Sequence, residues 1–228
     1  DGSVDALVVN WNSPGGEVYG VTEAFSVIRQ AAARKPIVSV SNSQLASAAL
    51  WLASATSEIF VSPGAEAGSV GVFAAHLDQS KAMEAAGERI EFIVADESPF
   101  KAEGNPTEPL SEDARAVLKA AVNRYMSAFV HDLAKGRGVS PDHVRKAFGK
   151  GRMLSPADAV AAQMADRIGT LDDAIRRASQ LGRERKAGPR AEELPLEPVA
   201  VDPAPAAPAA EEPSKLSKGD LARIARMR

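Results

Sequence analysis

Between residues 5 and 182 the chain repeats one alternation, a short apolar β-rich run followed by a helix-length segment. The runs are Ala6–Trp11, Ile37–Val40, Ile59–Val61, Val70–Phe73 and Ile90–Val94. Each is largely apolar along its length, with Asn10, Ser39 and Glu91 as single interruptions, rather than apolar at every second position. A strand with one face in water alternates, so near-continuous apolarity predicts strands covered on both faces, paired in parallel and joined by helical crossovers. Helical stretches near Val18–Ala33, Ala46–Ala55 and Gln79–Ala86 provide those crossovers. The expectation is a layered α/β domain with a mostly parallel sheet and right-handed connections.

The second half turns helical. Ser111, with Glu112 and Asp113 behind it, opens a segment running to about Lys135, on which Val117, Ala121, Tyr125, Ala128 and Phe129 fall on one face. Gly136 and Gly138 are expected to stop it. Ser140-Pro141 and Ser155-Pro156 each read as a serine N-cap followed by proline in the first turn. A last helix is expected from about Leu171 to Leu181.

After Gly182 the alternation ends. The last aromatic is Phe148, and seven of the 15 prolines fall from Pro189 onward, so 183–213 reads as a Pro/Ala-rich linker that buries too little to order itself. Residues 214–228 follow as a short basic amphipathic tail, with Leu221, Ile224 and Met227 on one side. It reads equally as a solvated tail and as a partner-docking peptide. The folded domain is thus assigned to 1–182. It opens on Asp1-Gly2-Ser3-Val4-Asp5 and enters a strand almost at once, without an initiator methionine. The expectation is a domain entered partway, with one or more N-terminal strands missing.

Composition narrows the chemistry. Lys and Arg number 27 against 30 Asp and Glu, a formal net charge of −3 that gives no protein-wide attraction for nucleic acid. Zero cysteines remove thiolate metal sites and a cysteine nucleophile. His76, His131 and His143 are too scattered for a metal cluster, so no metal and no cofactor is expected. No apolar stretch reaches the roughly 18–20 residues of a membrane span.

Three features then stand out. Asn12-Ser13-Pro14-Gly15-Gly16 follows a buried strand and precedes a helix, where glycines admit close backbone approach and free N–H groups favour negative charge. A plain strand-to-helix turn fits the same residues. Ser47 lies in Gln44-Leu45-Ala46-Ser47-Ala48-Ala49, small residues at a strand-to-helix junction, where backbone donors would face a developing oxyanion. An N-cap or a packing serine fits it too. Gly68-Ser69-Val70-Gly71-Val72 and the loop carrying Lys101-Ala102-Glu103-Gly104-Asn105-Pro106 complete the set. No serine has the nucleophile-elbow pattern of a Ser-His-Asp hydrolase.

In this order and at these spacings the motifs resemble the serine–lysine peptidases of the signal peptide peptidase A family over about residues 4–182. Ala75-His76-Leu77-Asp78-Gln79-Ser80 and the Lys101–Ser111 stretch are similar to its phage and prophage branch, the lambda-like capsid maturation proteases. The resemblance implies a fold of the Clp protease and crotonase type. It implies Ser47 as nucleophile and Lys101 as general base, with backbone N–H groups of Gly15 or Gly16 and of Ala48 as the oxyanion hole. Ser69 would help orient the lysine. Ala48-Ala49 stands where relatives often carry Gly-Gly, and alanine N–H groups serve equally.

A lysine has an unperturbed pKa of about 10.4, so such a base must be desolvated to work at neutral pH. Pro99-Phe100 beside Lys101 is expected to contribute apolar surroundings. The resemblance further implies homo-oligomers in which neighbouring subunits can share an active site. Three functions remain open: an endopeptidase acting on capsid or scaffold proteins in phage heads or the bacterial cytoplasm, a cellular signal-peptide-degrading enzyme anchored at a membrane by a missing segment, and a non-catalytic scaffold of the same fold.

Overall fold

The computed structural model describes residues 2–187. In chain order its elements are β1 (Leu7–Ser13), α1 (Val21–Arg34), β2 (Ile37–Ala46), α2 (Ala48–Ala53), β3 (Glu58–Val61), β4 (Glu66–Gly68), α3 (Ser80–Ala86), α4 (Glu112–Arg137), α5 (Pro141–Ala147), β5 (Met153–Leu154), α6 (Pro156–Ala161), β6 (Arg167–Ile168) and α7 (Leu171–Ala187). A single 3₁₀ turn, Gly149–Gly151, lies between α5 and β5.

β2 is the hub of the sheet. β1 pairs along one side from Leu7 with Ile37 to Trp11 with Ser41, and β3 and then β4 follow one another along the other. β6 extends the sheet beyond β3. All of these pairings are parallel, and only β4 with β5 is antiparallel. The α/β architecture with a mostly parallel sheet is therefore as the apolar runs dictate.

Both faces are covered. On one side Phe25, Leu45, Leu50, Trp51, Ile59, Phe129 and Leu133 form the larger core beneath α1, α2 and α4. On the other, Val38, Val40 and Phe60 meet Ala174 and Ala178 of α7. The small side chains let α7 approach closely. Arg177 of α7 grips Glu58 of β3 through Nε (2.8 Å) and a terminal nitrogen (2.5 Å), fixing the helix along the sheet. Buried Ser39 is satisfied by Trp11 Nε1 (2.8 Å) and Thr56 Oγ1 (3.0 Å), so this polar position within β2 carries no unpaired group.

Local signals set the helix starts. Ser111, Ser140 and Ser155 each accept the N–H three residues on, at 3.1, 3.1 and 3.2 Å. Gly138 closes α4 in the left-handed conformation. Gly136 does not: it lies within α4, where a Cβ would collide with the Ser54 carbonyl oxygen. Its missing side chain lets α4 press onto the end of α2. The predicted face of α4 holds at Ala121, Tyr125 and Ala128, which are half-buried, and at buried Phe129, but Val117 is exposed and burial continues to Ala134.

Two expected strands are absent. Val70–Phe73 and Ile90–Val94 have no ladder partner, and the nearby strand is β4, at Glu66–Gly68. A strand needs a neighbour to take its N–H and C=O groups, and beyond Val72, which is half-buried against the core, residues 73–110 form an arm in which nothing is buried. Phe73 (87 % exposed), Ile93 (95 %) and Phe100 (72 %) lie in the open. Met83, Ile90, Phe92, Val94 and Phe100 line a cleft within it. β2 runs further than predicted, to Ala46, and α7 continues to Ala187, past the assigned domain end at 182. The rest of the linker and the whole basic tail lie outside the described residues. Among the described residues no helix is long and apolar enough to cross a membrane.

Candidate active site

Ser47 sits between β2 and α2 with φ 51° and ψ −122°, a backbone conformation that L side chains rarely adopt. It occupies the N-cap position of α2, yet its hydroxyl caps nothing. The strain is imposed from both sides. Its N–H donates to the Gly68 carbonyl at 2.9 Å, and its own carbonyl accepts from the Trp51 N–H at 2.9 Å. Such outliers persist only where surrounding structure over-determines them, at a cost of about 1–3 kcal/mol each.

Gly15 is brought directly against this serine. With φ 100°, its absent Cβ would fall 2.6 Å from Ser47 Cβ and 3.0 Å from Ser47 Oγ. The Gly15 N–H donates to Ser13 Oγ at 3.2 Å. Among the described residues the N–H groups of Gly16, next in the chain to Gly15, and of Ala48, next to Ser47, donate to nothing.

Ser69 is the next left-handed residue, with φ 55°, and its N–H donates to the Arg152 carbonyl at 2.9 Å. It is placed one residue from the Gly68 carbonyl that holds Ser47. Gly68 itself (φ 147°) has Arg152 O where a Cβ would be, so β4 can pair with β5 only through a glycine. Gly68, Arg152 and Trp51 thus frame the serine without having stood out in the sequence as supports. Their only sequence trace is glycine spacing, Gly68-Ser69-Val70-Gly71 and Gly149-Lys150-Gly151.

Lys101 is brought to Ser47 by no hydrogen bond among the described residues. It lies exposed on the arm, in a turn closed by its own N–H to the Ser98 carbonyl (3.0 Å), and its neighbour Phe100 is equally open to solvent. Among the described residues, none closes the apolar surroundings expected from Pro99-Phe100 around Lys101.

The histidines are occupied elsewhere or unpaired with serine. His76 Nε2 meets the Glu108 carbonyl (3.2 Å) and His143 Nε2 the Ala162 carbonyl (2.8 Å). No Ser–His pair forms among the described residues. No group of three His, Cys, Asp or Glu there is arranged to hold a metal.

Behind α2, Asp132 of α4 is 7 % exposed and accepts a hydrogen bond from the Trp51 indole at 2.8 Å. Burial pushes its carboxyl above the ordinary aspartate range, against the opposing pull of that bond, His131 and Lys135. A carboxyl raised in the native state holds its proton there longer than in the unfolded chain. Its contribution therefore makes stability fall as pH climbs from the ordinary aspartate value through the raised one. Asp132→Asn is expected to flatten that stretch of the stability curve, read as denaturant midpoints at stepped pH.

The family model for peptidase family S49 matches residues 29–184. Capsid assembly protease C of Escherichia phage lambda is 30% identical over 175 residues, 77% of this chain and 39% of the relative. Protease 4 of Salmonella typhi is 29% identical over 188 residues, 80% of this chain and 29% of the relative. The chain thus spans well under half the length of these two relatives. Among solved structures, a serine-to-alanine mutant of the 1510-N membrane-bound stomatin-specific protease aligns with a TM-score of 0.48 at 15% identity, covering 77% of this chain and 70% of that one.

Proposed function

The chain belongs to peptidase family S49, and on that premise we propose that it is a serine endopeptidase with Ser47 as nucleophile and Lys101 as general base. The observation that carries this is the uncapped hydroxyl of a strained Ser47 lying against Gly15; the N–H groups of the next residues along, Gly16 and Ala48, have no acceptor among the described residues. Ser47 Oγ attacks the scissile carbonyl carbon and its proton passes to Lys101 Nζ. The carbonyl oxygen takes the negative charge and is held by the Gly16 and Ala48 N–H groups. Gly15 contributes by admitting the substrate backbone, its own N–H being engaged by Ser13. The C–N bond then breaks, Lys101 returns the proton to the leaving amine, and water hydrolyses the acyl-enzyme by the same steps. Ser69 lies near enough to the serine's support to help orient the lysine.

The lysine arrives from a neighbour. Within one chain Lys101 is exposed and makes no side-chain hydrogen bond, while the arm that carries it presents Phe73, Ile93 and Phe100 to solvent. Packing that arm on a second copy buries the apolar side chains and removes water from the ammonium at once, the condition for a lysine to act as base. Activity then depends on assembly.

The substrates are capsid or scaffold proteins of a phage or prophage head, in the prohead or the host cytoplasm, a reading supported by the likeness to the lambda protease. Degradation of cellular signal peptides is the second reading, supported by the likeness to Protease 4. Portal and major capsid genes beside this one would favour the first and their absence the second.

The shared site has a direct test on casein. Ser47→Ala and Lys101→Ala are each expected to be inactive. Mixed and reassembled in equal amounts, they should recover about a quarter of wild-type activity, because random assembly in a head-to-tail ring gives one site in four an intact serine facing an intact lysine. A mixture as dead as its components would place both residues in one chain. Full activity in Lys101→Ala alone would remove the lysine from the mechanism.

A further inference from the structure

α2 has six residues and carries Ser47 at its N-cap. A helix this short cannot hold its own terminus in place, so its position is set from outside. Three residues of α4 do this along one stripe. The Phe129 ring stacks on Trp51 with centroids 4.4 Å apart and planes 7° from parallel. The Asp132 carboxyl accepts the Trp51 indole N–H at 2.8 Å. Gly136 lets α4 meet the Ser54 carbonyl at the far end of α2.

Stacking fixes the plane of the indole but not its rotation within that plane. The hydrogen bond to Asp132 fixes the rotation. Trp51 in turn donates its backbone N–H to the Ser47 carbonyl at 2.9 Å. Two hydrogen bonds of one residue therefore connect a buried carboxyl of α4 to the strained backbone of Ser47. Keeping a carboxyl there is unfavourable by itself, since an apolar side chain would fill the place without desolvation. Trp51 is the one side-chain hydrogen-bond partner Asp132 has among the described residues, so what the carboxyl adds is direction.

Resting on Ser47 as the nucleophile, we infer that Asp132 is a positioning residue for it: by fixing the Trp51 indole, Asp132 holds the α2 N-terminus, and with it Ser47 and the Ala48 N–H, in place against Gly15 and Gly68. It touches no substrate. Its effect should appear in the rate of the chemical step and not in binding.

The test uses the full chain and a fluorophosphonate probe, which phosphonylates an activated serine with loss of fluoride. The limiting labelling rate and the half-saturating probe concentration are measured for wild type, Trp51→Phe, Asp132→Leu, Asp132→Asn and the double variant Trp51→Phe/Asp132→Leu. Phenylalanine keeps an aromatic ring on Phe129 but loses the N–H together with the volume of the second ring at this buried position, and Asp132→Leu removes the same hydrogen bond with the indole intact. Trp51→Phe and Asp132→Leu should each slow the limiting rate by about tenfold to a hundredfold, the scale of a misplacement of about 1 Å, with half-saturation within about twofold of wild type. Asp132→Asn, whose amide oxygen still accepts the indole N–H, should recover most of the rate. The double variant should be no slower than the slower single, because both remove one interaction. Labelling of Trp51→Phe at the wild-type rate, or losses that multiply in the double variant, would overturn the inference. Equal labelling of wild type and Ser47→Ala would overturn instead the nucleophile on which it rests.

Discussion

Ser47→Ala is expected to lower peptide-bond cleavage by a factor of about 10⁴–10⁶, the range seen when a serine nucleophile is removed from a working site. The fold should not notice. The Ser47 hydroxyl makes no hydrogen bond among the described residues and does not cap α2, so its deletion leaves no orphaned partner. Alanine meets the same backbone strain at φ 51° as serine does, and its thermal midpoint should match wild type. Ser47→Gly separates strain from chemistry. Glycine adopts this conformation freely, relieving about 1–3 kcal/mol, while adding only about 0.4–1 kcal/mol of entropy to the unfolded chain. The glycine variant should therefore be as inactive as the alanine variant and more stable than it. A serine that merely turned a corner would show neither the loss of activity nor that trade. The paired measurement is casein cleavage together with thermal unfolding of all three proteins. Alanine and wild type cutting alike would remove Ser47 from the reaction.

What the sequence made legible divides by range of interaction. The helix starts at Ser111, Ser140 and Ser155 were readable because the capping bond spans three residues. β2 was readable because burial on both faces makes its first residues, Ile37, Val38 and Val40, apolar around a single satisfied serine, Ser39. Val70–Phe73 and Ile90–Val94 have the same local character, but a ladder requires a partner and the arm offers none. Gly136 looked like a helix stop because glycine usually is one. Its reason is the Ser54 carbonyl, which only the packing of α4 on α2 brings near.

The site divides the same way. Ser47, Gly15, Gly16 and Ala48 could be named from motif order, and the fold sets Gly15 directly against Ser47. What bends Ser47 could not be named, because its supports come from β4, from Trp51 in α2 and, through Gly68, from Arg152. Nor could the exposure of Lys101, which depends on an arm that leaves the body of its own chain.

Gly68 is the position where stability and activity should fail together. Two independent constraints require glycine there: its φ of 147° and the Arg152 carbonyl oxygen, which occupies the place of any added Cβ. The obstacle is backbone held in the β4–β5 pairing, not a side chain free to swing aside. Gly68→Ala must adopt a conformation costing about 1–3 kcal/mol and displace that strand for a further 1–3 kcal/mol or so, a combined loss of about 2–6 kcal/mol. That is a large share of the roughly 5–15 kcal/mol that holds a domain folded.

The activity loss follows from the same atom group. The Gly68 carbonyl receives the Ser47 N–H at 2.9 Å, and the next residue's N–H is bonded to Arg152. Any shift that frees Arg152 O moves the acceptor that keeps Ser47 in its strained conformation, and a displacement of about 1 Å at the nucleophile can cost about a hundredfold in rate. Gly64→Ala is the control. It lies in the β3–β4 connection, four residues before Gly68, yet a Cβ there meets nothing within 4 Å. Denaturant unfolding and casein cleavage, the latter measured where the variant is still folded, should both drop sharply for Gly68→Ala and hardly at all for Gly64→Ala. A Gly68→Ala protein that unfolds at the wild-type midpoint would mean that β5 does not press on β4 at this residue. One that is destabilised yet cuts at full rate would mean that Ser47 is held by something other than the Gly68 carbonyl.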